Sequence, residues 1–136
     1  MRYMLDSNTL IYVLNARPRH QAVLDRFNDE NPQDLSVSSI TLAELRFGVE
    51  KSQRREATRQ KLHRVLDAIS VEAFGNKAAE AYGVVRAQLE DKGRPIGPLD
   101  TLIAAHALSL SLTLVTSNTR EFASVAGLRL ENWIPG

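Results

Sequence analysis

Two aspartates occupy positions where an ionised carboxylate is costly. Asp6 ends the first apolar run, Tyr3-Met4-Leu5-Asp6-Ser7-Asn8, and Asp100 follows Pro98-Leu99 and opens Thr101-Leu102-Ile103-Ala104-Ala105. Neither has an adjacent Lys or Arg. A carboxylate at the edge of an apolar element is expensive to desolvate unless a metal or a cation neutralises it, so the pair suggests a metal site. Glu44, one helical turn past the run Leu35 to Ile40, and Ser117-Asn118, after Leu112 to Thr116, are candidates for the same place. Carboxylates packed about 5 Å apart repel by roughly 3 kcal/mol per pair at an effective dielectric near 20. A divalent cation removes that repulsion. With no cysteine and no paired histidines, an all-oxygen donor set suits Mg²⁺ or Mn²⁺ rather than zinc. Such a site most often serves phosphate chemistry, in which the metal activates water and clamps the oxygens of the scissile phosphate.

Each residue also has a plainer role open to it. Asp6 and Asp100 suit helix caps. Thr41 and Glu44 have the S/T-x-x-E spacing of a capping box, and Asn118 is ordinary turn chemistry. Their joint placement at one sheet edge favours a site.

The elements that must position these groups follow from the apolar periodicity, which switches between short runs and helical spacing as in α/β folds with a mostly parallel central sheet flanked by helices on both faces. Residues 2 to 5 read as a buried strand. Asn8 to Leu14 reads as a helix stopped at Arg17-Pro18, and a second helix runs from Pro18 to Asn28, burying Ala22, Val23, the stem of Arg26 and Phe27. Asn31 to Asp34 is a turn. Leu35 to Ile40 alternates as a strand, with Thr41 capping the next helix. Gln53 to Ile69 is a surface helix with Leu62, Val65, Leu66 and Ile69 on one face. Val71 to Phe74 is a short strand, and Asn76 to Lys92 a helix ended by Gly93. The loop Arg94-Pro95-Ile96-Gly97-Pro98 delivers Asp100 to the first turn of another helix, where the dipole favours its ionised form. Leu112 to Thr116 is the clearest buried strand, and Leu128 to Glu131 adds an edge strand. Because loops and helix N-termini converge beyond the carboxyl ends of such strands, Asp6, Glu44, Asp100 and Asn118 meet there.

At 136 residues and 43% hydrophobic content we expect one domain over residues 1–136 with a real core. A net charge of +1, from 17 basic and 16 acidic residues, neither demands nor excludes a polyanionic partner. Asp6 interrupts the N-terminus before any signal-type stretch, and no window approaches a membrane span, so the expectation is a soluble cytoplasmic protein.

The segments Met4-Leu5-Asp6-Ser7-Asn8, Ser39 to Gly48, Gly93 to Asp100 and Leu114 to Phe122 together resemble the PIN-domain ribonucleases, specifically the VapC toxins of type II toxin–antitoxin pairs, over nearly the whole chain. The resemblance implies a Mg²⁺-dependent endoribonuclease, with Mn²⁺ as a substitute and with Asp6, Glu44 and Asp100 at the family's acidic positions. Asp6 and Asp100 are then the main metal ligands, while Glu44 completes the shell and positions or deprotonates the attacking water. Many PIN domains carry a fourth Asp where Asn118 stands here. Asn118 can offer a carbonyl or bind a phosphate oxygen, and Glu121 can supply the missing charge. Ser7 keeps a hydroxyl where Thr is common, and Asn8 stands beside it. The family also implies a homodimer, a cognate VapB antitoxin folded over the active-site groove, and tRNA as substrate. The loops Gly93 to Pro98 and Asn118 to Phe122 look most like members that cut the anticodon stem-loop of initiator tRNA.

An RNA nuclease needs cations around its acidic centre. Arg17, Arg19, Arg46, Arg94 and Arg120 are candidates, while Lys51, Arg54, Arg55, Arg59, Lys61 and Arg64 read as a solvated helix face. His106 shares a helix side with Leu102, Ile103 and Leu110 and reads as a buried, hydrogen-bonded histidine. His20 and His63 sit in polar contexts, and Trp133 as a packing residue at the sheet edge. Asp6-Ser7-Asn8-Thr9 and Val115-Thr116-Ser117-Asn118 superficially resemble the first two motifs of HAD-type phosphatases. That family's general acid belongs at Asn8, however, and no Asp or Lys follows Asn118. The remaining alternative is a non-catalytic PIN-like protein whose acidic pocket only binds RNA or an antitoxin.

Overall fold

Five short segments form one parallel sheet, its central strands buried and its two edge strands part-exposed. The computed structural model describes residues 1–15 and 18–135, with Arg19 as backbone alone. The strands are β1 (Tyr3–Leu5), β2 (Leu35–Ser38), β3 (Ser70–Glu72), β4 (Thr113–Val115) and β5 (Leu130–Glu131). Their order is β3-β2-β1-β4-β5, every pair parallel, with Tyr3 beside Leu35 on one side and Thr113 on the other. The chain therefore builds outward from β1 in one direction, then crosses back to add β4 and β5. That reversal makes the gap between β1 and β4 the topological switch point, where α/β folds open a crevice.

Alternation along the strands divides the core in two. Tyr3, Leu5, Leu35, Val37 and Val115 face one layer, formed by α1 (Ser7–Asn15), α2 (Gln21–Asp29), α3 (Ser39–Lys51) and α4 (Arg55–Ala68). Met4 and Leu114 face the other, formed by α5 (Asn76–Asp91), α6 (Pro98–Ser109) and α7 (Thr119–Phe122). The second layer contains Ala104, Ala105 and Ala107 of α6, all fully buried, and small side chains there let the helix approach the sheet closely. Opposite them β2 presents serines instead of large apolar residues. Ser36 Oγ donates to the Tyr3 carbonyl at 2.8 Å, and Ser38 Oγ lies 2.8 Å from His106 Nδ1. His106 is thus buried and hydrogen-bonded, as its helix face predicts.

Helix boundaries follow local chemistry. Pro98 occupies the first turn of α6, where its missing N–H costs nothing. Past α5, Gly93 takes φ 65° and Arg94 N donates back to the Leu89 carbonyl at 2.9 Å, the left-handed closure that glycine favours. Trp133 is buried edge-on against Tyr3 at 5.3 Å, with the Arg26 guanidinium 4.7 Å over its ring, so the C-terminal segment closes the sheet edge.

Several expectations need correction. Thr41 does not cap α3. The helix starts three residues earlier, at Ser39, and Ser38 is the cap, accepting from the Ile40 amide at 3.0 Å. Thr41 is buried inside the helix, so Glu44 is not half of a capping box. A serine in extended conformation at the strand's end is the stronger local signal. His20 is not in a polar context but buried, its ring 4.0 Å from that of Tyr12. The stretch after Pro18 begins as a 3₁₀ turn, Pro18–His20, before α2. Val71 to Phe74 is registered earlier, as β3, and α7 was not foreseen. Arg17 and the side chain of Arg19 lie outside the described residues.

Candidate active site

Asp6 leaves the sheet at the end of β1, held by its own backbone: its amide donates to the Val115 carbonyl at 3.0 Å and its carbonyl accepts from Leu10 at 3.1 Å. Its Oδ1 accepts from the Thr9 amide at 2.9 Å, so the capping role is real. One carboxylate does both jobs, ordering the first turn of α1 and presenting charge at the switch point. Thr9 Oγ1 donates to the Val115 carbonyl at 3.3 Å, which ties α1 to the end of β4.

Asp100 comes from the other layer, in the first turn of α6. The loop before it is pinned through Gly97, whose carbonyl accepts from both Thr101 N and Thr101 Oγ1 at 2.9 Å. Gly97 N donates to Glu121 Oε1 at 3.1 Å. A Cβ at Gly97 would lie 3.5 Å from Asp100 Oδ2 and 3.9 Å from Glu121 Oε1, so this glycine stands beside both carboxylates. Glu121 sits on α7, and its Oε2 accepts a short hydrogen bond from Asn118 Nδ2. Asn118 N in turn donates to Thr116 Oγ1 at 3.0 Å, so the turn after β4 is built to orient Glu121.

Electrostatics join the four acids into one centre. Burial raises the Asp100 pKa from 3.8 to about 7, helped by a hydrogen bond with Glu121 and by the charges of Glu121, Glu44 and Asp6. Glu44 is also raised, first by burial and then by the Asp6 charge. Like charges sharing a desolvated space account for both shifts. The described ion pairs, such as Arg26 with Glu131 and Arg59 with Glu50 and Glu56, all lie elsewhere, so among the described residues no arginine or lysine forms an ion pair with this centre. Among the described residues no three Asp, Glu or His side chains close on a point tightly enough to hold a metal as they stand. The arrangement is an open basin of half-buried carboxylates. Its donor chemistry fits a hard divalent cation: oxygen alone, unpaired with basic groups, and self-repelling.

The sequence-derived candidates thus separate. Asp6, Glu44, Asp100 and Glu121 interact with one another. Ser7 and Glu44 also line a groove of about 420 Å³ walled by Ile11, Leu14, Leu45, Val49 and Leu62. Asn8, Arg94, Asn118 and Arg120 are exposed and Arg46 is half-buried. Arg46, Arg94 and Arg120 enter none of the described ion pairs, whereas Arg55 and Arg59 pair with Glu50 on a solvated face. The roles of Gly97, Thr9 and Thr116 were not anticipated. A glycine three residues from a candidate ligand was the available signal for the first. The threonines gave none, because their partners are main-chain atoms distant in sequence or a nearby amide.

A family model described as PIN domain matches residues 3–128. The chain is 42% identical over 133 residues to the tRNA(fMet)-specific endonuclease VapC of Shigella flexneri, covering 98% of each chain. It is 42% identical to Ribonuclease VapC2 of Haemophilus influenzae over 134 residues, covering 98% of this chain and 99% of that one. Among solved structures, the DNA-bound VapBC of Salmonella typhimurium matches with a TM-score of 0.91 at 39% identity, covering 98% of each chain.

Proposed function

This chain belongs to the PIN-domain family, among its VapC ribonucleases, and on that footing we propose that it is a toxin whose target is tRNA, at the anticodon loop of the initiator. It is an endoribonuclease, and nucleases of this family depend on a divalent metal. We assign Mg²⁺ to that role, with Mn²⁺ able to substitute.

In this reading Asp6 and Asp100 hold the cation and Glu44 completes its shell, directly or through water. Once bound, the cation supplies Lewis acidity and offsets the charge of the scissile phosphate. Glu44, with its pKa raised by burial and by Asp6, is the base that accepts the proton of the attacking water. Glu121 contributes the fourth acidic charge that Asn118 lacks, while Asn118 orients it. Arg46, Arg94 and Arg120 steer the phosphate backbone past the carboxylates, and Ser7 and Asn8 contact the substrate beside Asp6. The partner is a VapB-type antitoxin, whose segment covers the groove beside Ser7 and Glu44. The protein acts in the cytoplasm as a homodimer, with residues 1–136 as one domain; no described helix is long and apolar enough to cross a membrane.

The observation that carries this reading is the gathering of Asp6, Glu44, Asp100 and Glu121 at one edge of the sheet, where burial first and then the neighbouring carboxylates raise the Asp100 pKa to about 7. The test is incubation of purified protein with total cellular RNA, with Mg²⁺ or with EDTA, beside Asp6→Asn. Discrete tRNA fragments requiring both the metal and Asp6 are expected. Absence of metal-dependent cleavage in any RNA would favour a protein that binds RNA or antitoxin without cutting.

A further inference from the structure

His106 takes no part in the chemistry above, yet it is among the most deeply enclosed polar residues, at 1% exposure. Its Nδ1 lies 2.8 Å from Ser38 Oγ. That same oxygen accepts the Ile40 amide at 3.0 Å as the N-cap of α3. Ser38 therefore already accepts one hydrogen bond, and its hydroxyl proton is available to Nδ1. Burial lowers the His106 pKa, and the Ala73 main chain lies within reach of the ring. Burial outweighs the Glu72 charge and the Ala73 hydrogen bond, which both act the other way, and so favours a neutral imidazole, while a ring N–H engaged by the Ala73 main chain leaves Nδ1 as the acceptor toward Ser38. The next turn of chain locks the same point from the side: Phe74 N donates to Ser39 Oγ at 3.0 Å, and the Phe74 ring stands edge-on to His106 at 5.3 Å.

The position of this joint matters more than its strength. Ser38 starts α3 six residues before Glu44, and His106 lies on α6 six residues after Asp100. At 1.5 Å rise per residue each carboxylate is about 9 Å along its helix from the joint. The two helices pack together but belong to opposite layers of the core. The hydrogen bond at Ser38 and His106 ties together the two elements that carry Glu44 and Asp100.

We propose that the Ser38–His106 pair is a positioning joint that fixes the helices bearing Glu44 and Asp100 against each other, so that the two carboxylates can close on a divalent cation. The proposal rests on the reading of the carboxylates as a cation site. Its test is Mn²⁺ binding to the full chain, measured by calorimetry and by loss of the free-ion paramagnetic resonance signal, without RNA. Variants are Ser38→Ala, His106→Leu, His106→Asn and Asp6→Asn, each checked for folding by thermal melt. Ser38→Ala and His106→Leu are expected to weaken Mn²⁺ binding by about three- to thirtyfold, and the double variant by no more than the worse single one, because the two act through one bond. His106→Asn retains a polar atom where Nδ1 stood and restores affinity toward wild type, although it fills the site less well. A merely structural joint would lower the melting temperature and leave Mn²⁺ affinity unchanged in every folded variant, and that result would overturn the proposal. If His106→Leu does not fold, Ser38→Ala decides. Should the wild type and Asp6→Asn bind Mn²⁺ equally, or neither bind, the site reading itself fails and the joint with it. Weakening by Asp6→Asn with no change in Ser38→Ala refutes the joint alone.

Discussion

Removing one charge from the acidic centre should stabilise the protein while disabling it. In the metal-free state Asp100 titrates at about 7 instead of 3.8, so between those values the folded form holds a proton that the unfolded form has released. Stability from this group is therefore intact below about pH 4, falls as pH rises, and is lowest above about pH 7. At 1.36 kcal/mol per pKa unit, the full difference from 3.8 to about 7 would amount to roughly 4 kcal/mol. The carboxylate still touches water, and screening reduces this to about 1–2 kcal/mol. Asp100→Asn removes the charge and keeps a group able to donate to Glu121. With an unfolding entropy near 2.1 cal/mol/K per residue, about 0.3 kcal/mol/K for a chain of this length, the gain is roughly 3–7 °C in melting temperature. Circular dichroism melts in EDTA at pH 8 and pH 5 measure it, and the gap between variant and wild type should shrink by more than half at pH 5. An Asp100→Asn variant no more stable than wild type at pH 8 would refute the claim that these carboxylates oppose one another.

Mg²⁺ at about a hundred times its dissociation constant should stabilise the wild type by roughly 2.7 kcal/mol, and calorimetric scans should show no such gain for Asp6→Asn. Asn118→Asp puts a fifth acid beside Glu121 in place of its amide donor; it should lower metal-free stability by about 1 kcal/mol and tighten Mn²⁺ binding, both readable from melts with and without the ion. Trp133→Ala should cost about 3 kcal/mol by emptying the buried site against Tyr3, and a urea midpoint unchanged from wild type would show that the C-terminal segment does not close the sheet edge.

The acidic positions were legible in the residues because desolvation makes an unpaired carboxylate at the end of an apolar run conspicuous, and this holds for Asp6 and Asp100 whatever they pack against. The strand at Leu112 to Thr116 and the helix face around His106 were legible for the same reason: burial writes a local period into the chain. What pairs with what was not. Glu44 looked like a capping partner of Thr41 because their spacing is right, and only the backbone at Ser38, extended and ready to accept from Ile40, decided otherwise. Glu121 was a possible substitute for a missing acid; its bond to Gly97 across 24 positions and its proximity to Asp100 depend on two loops meeting beyond a sheet. His106 was readable as buried, but Ser38, 68 positions away, was not readable as its partner. Sequence by itself determined which groups would be costly and which segments would be covered, since those follow from local chemistry and period. The tertiary structure alone decided which costs are shared, because the reversal at β1 and β4 brings Asp6, Glu44, Asp100 and Glu121 into one field.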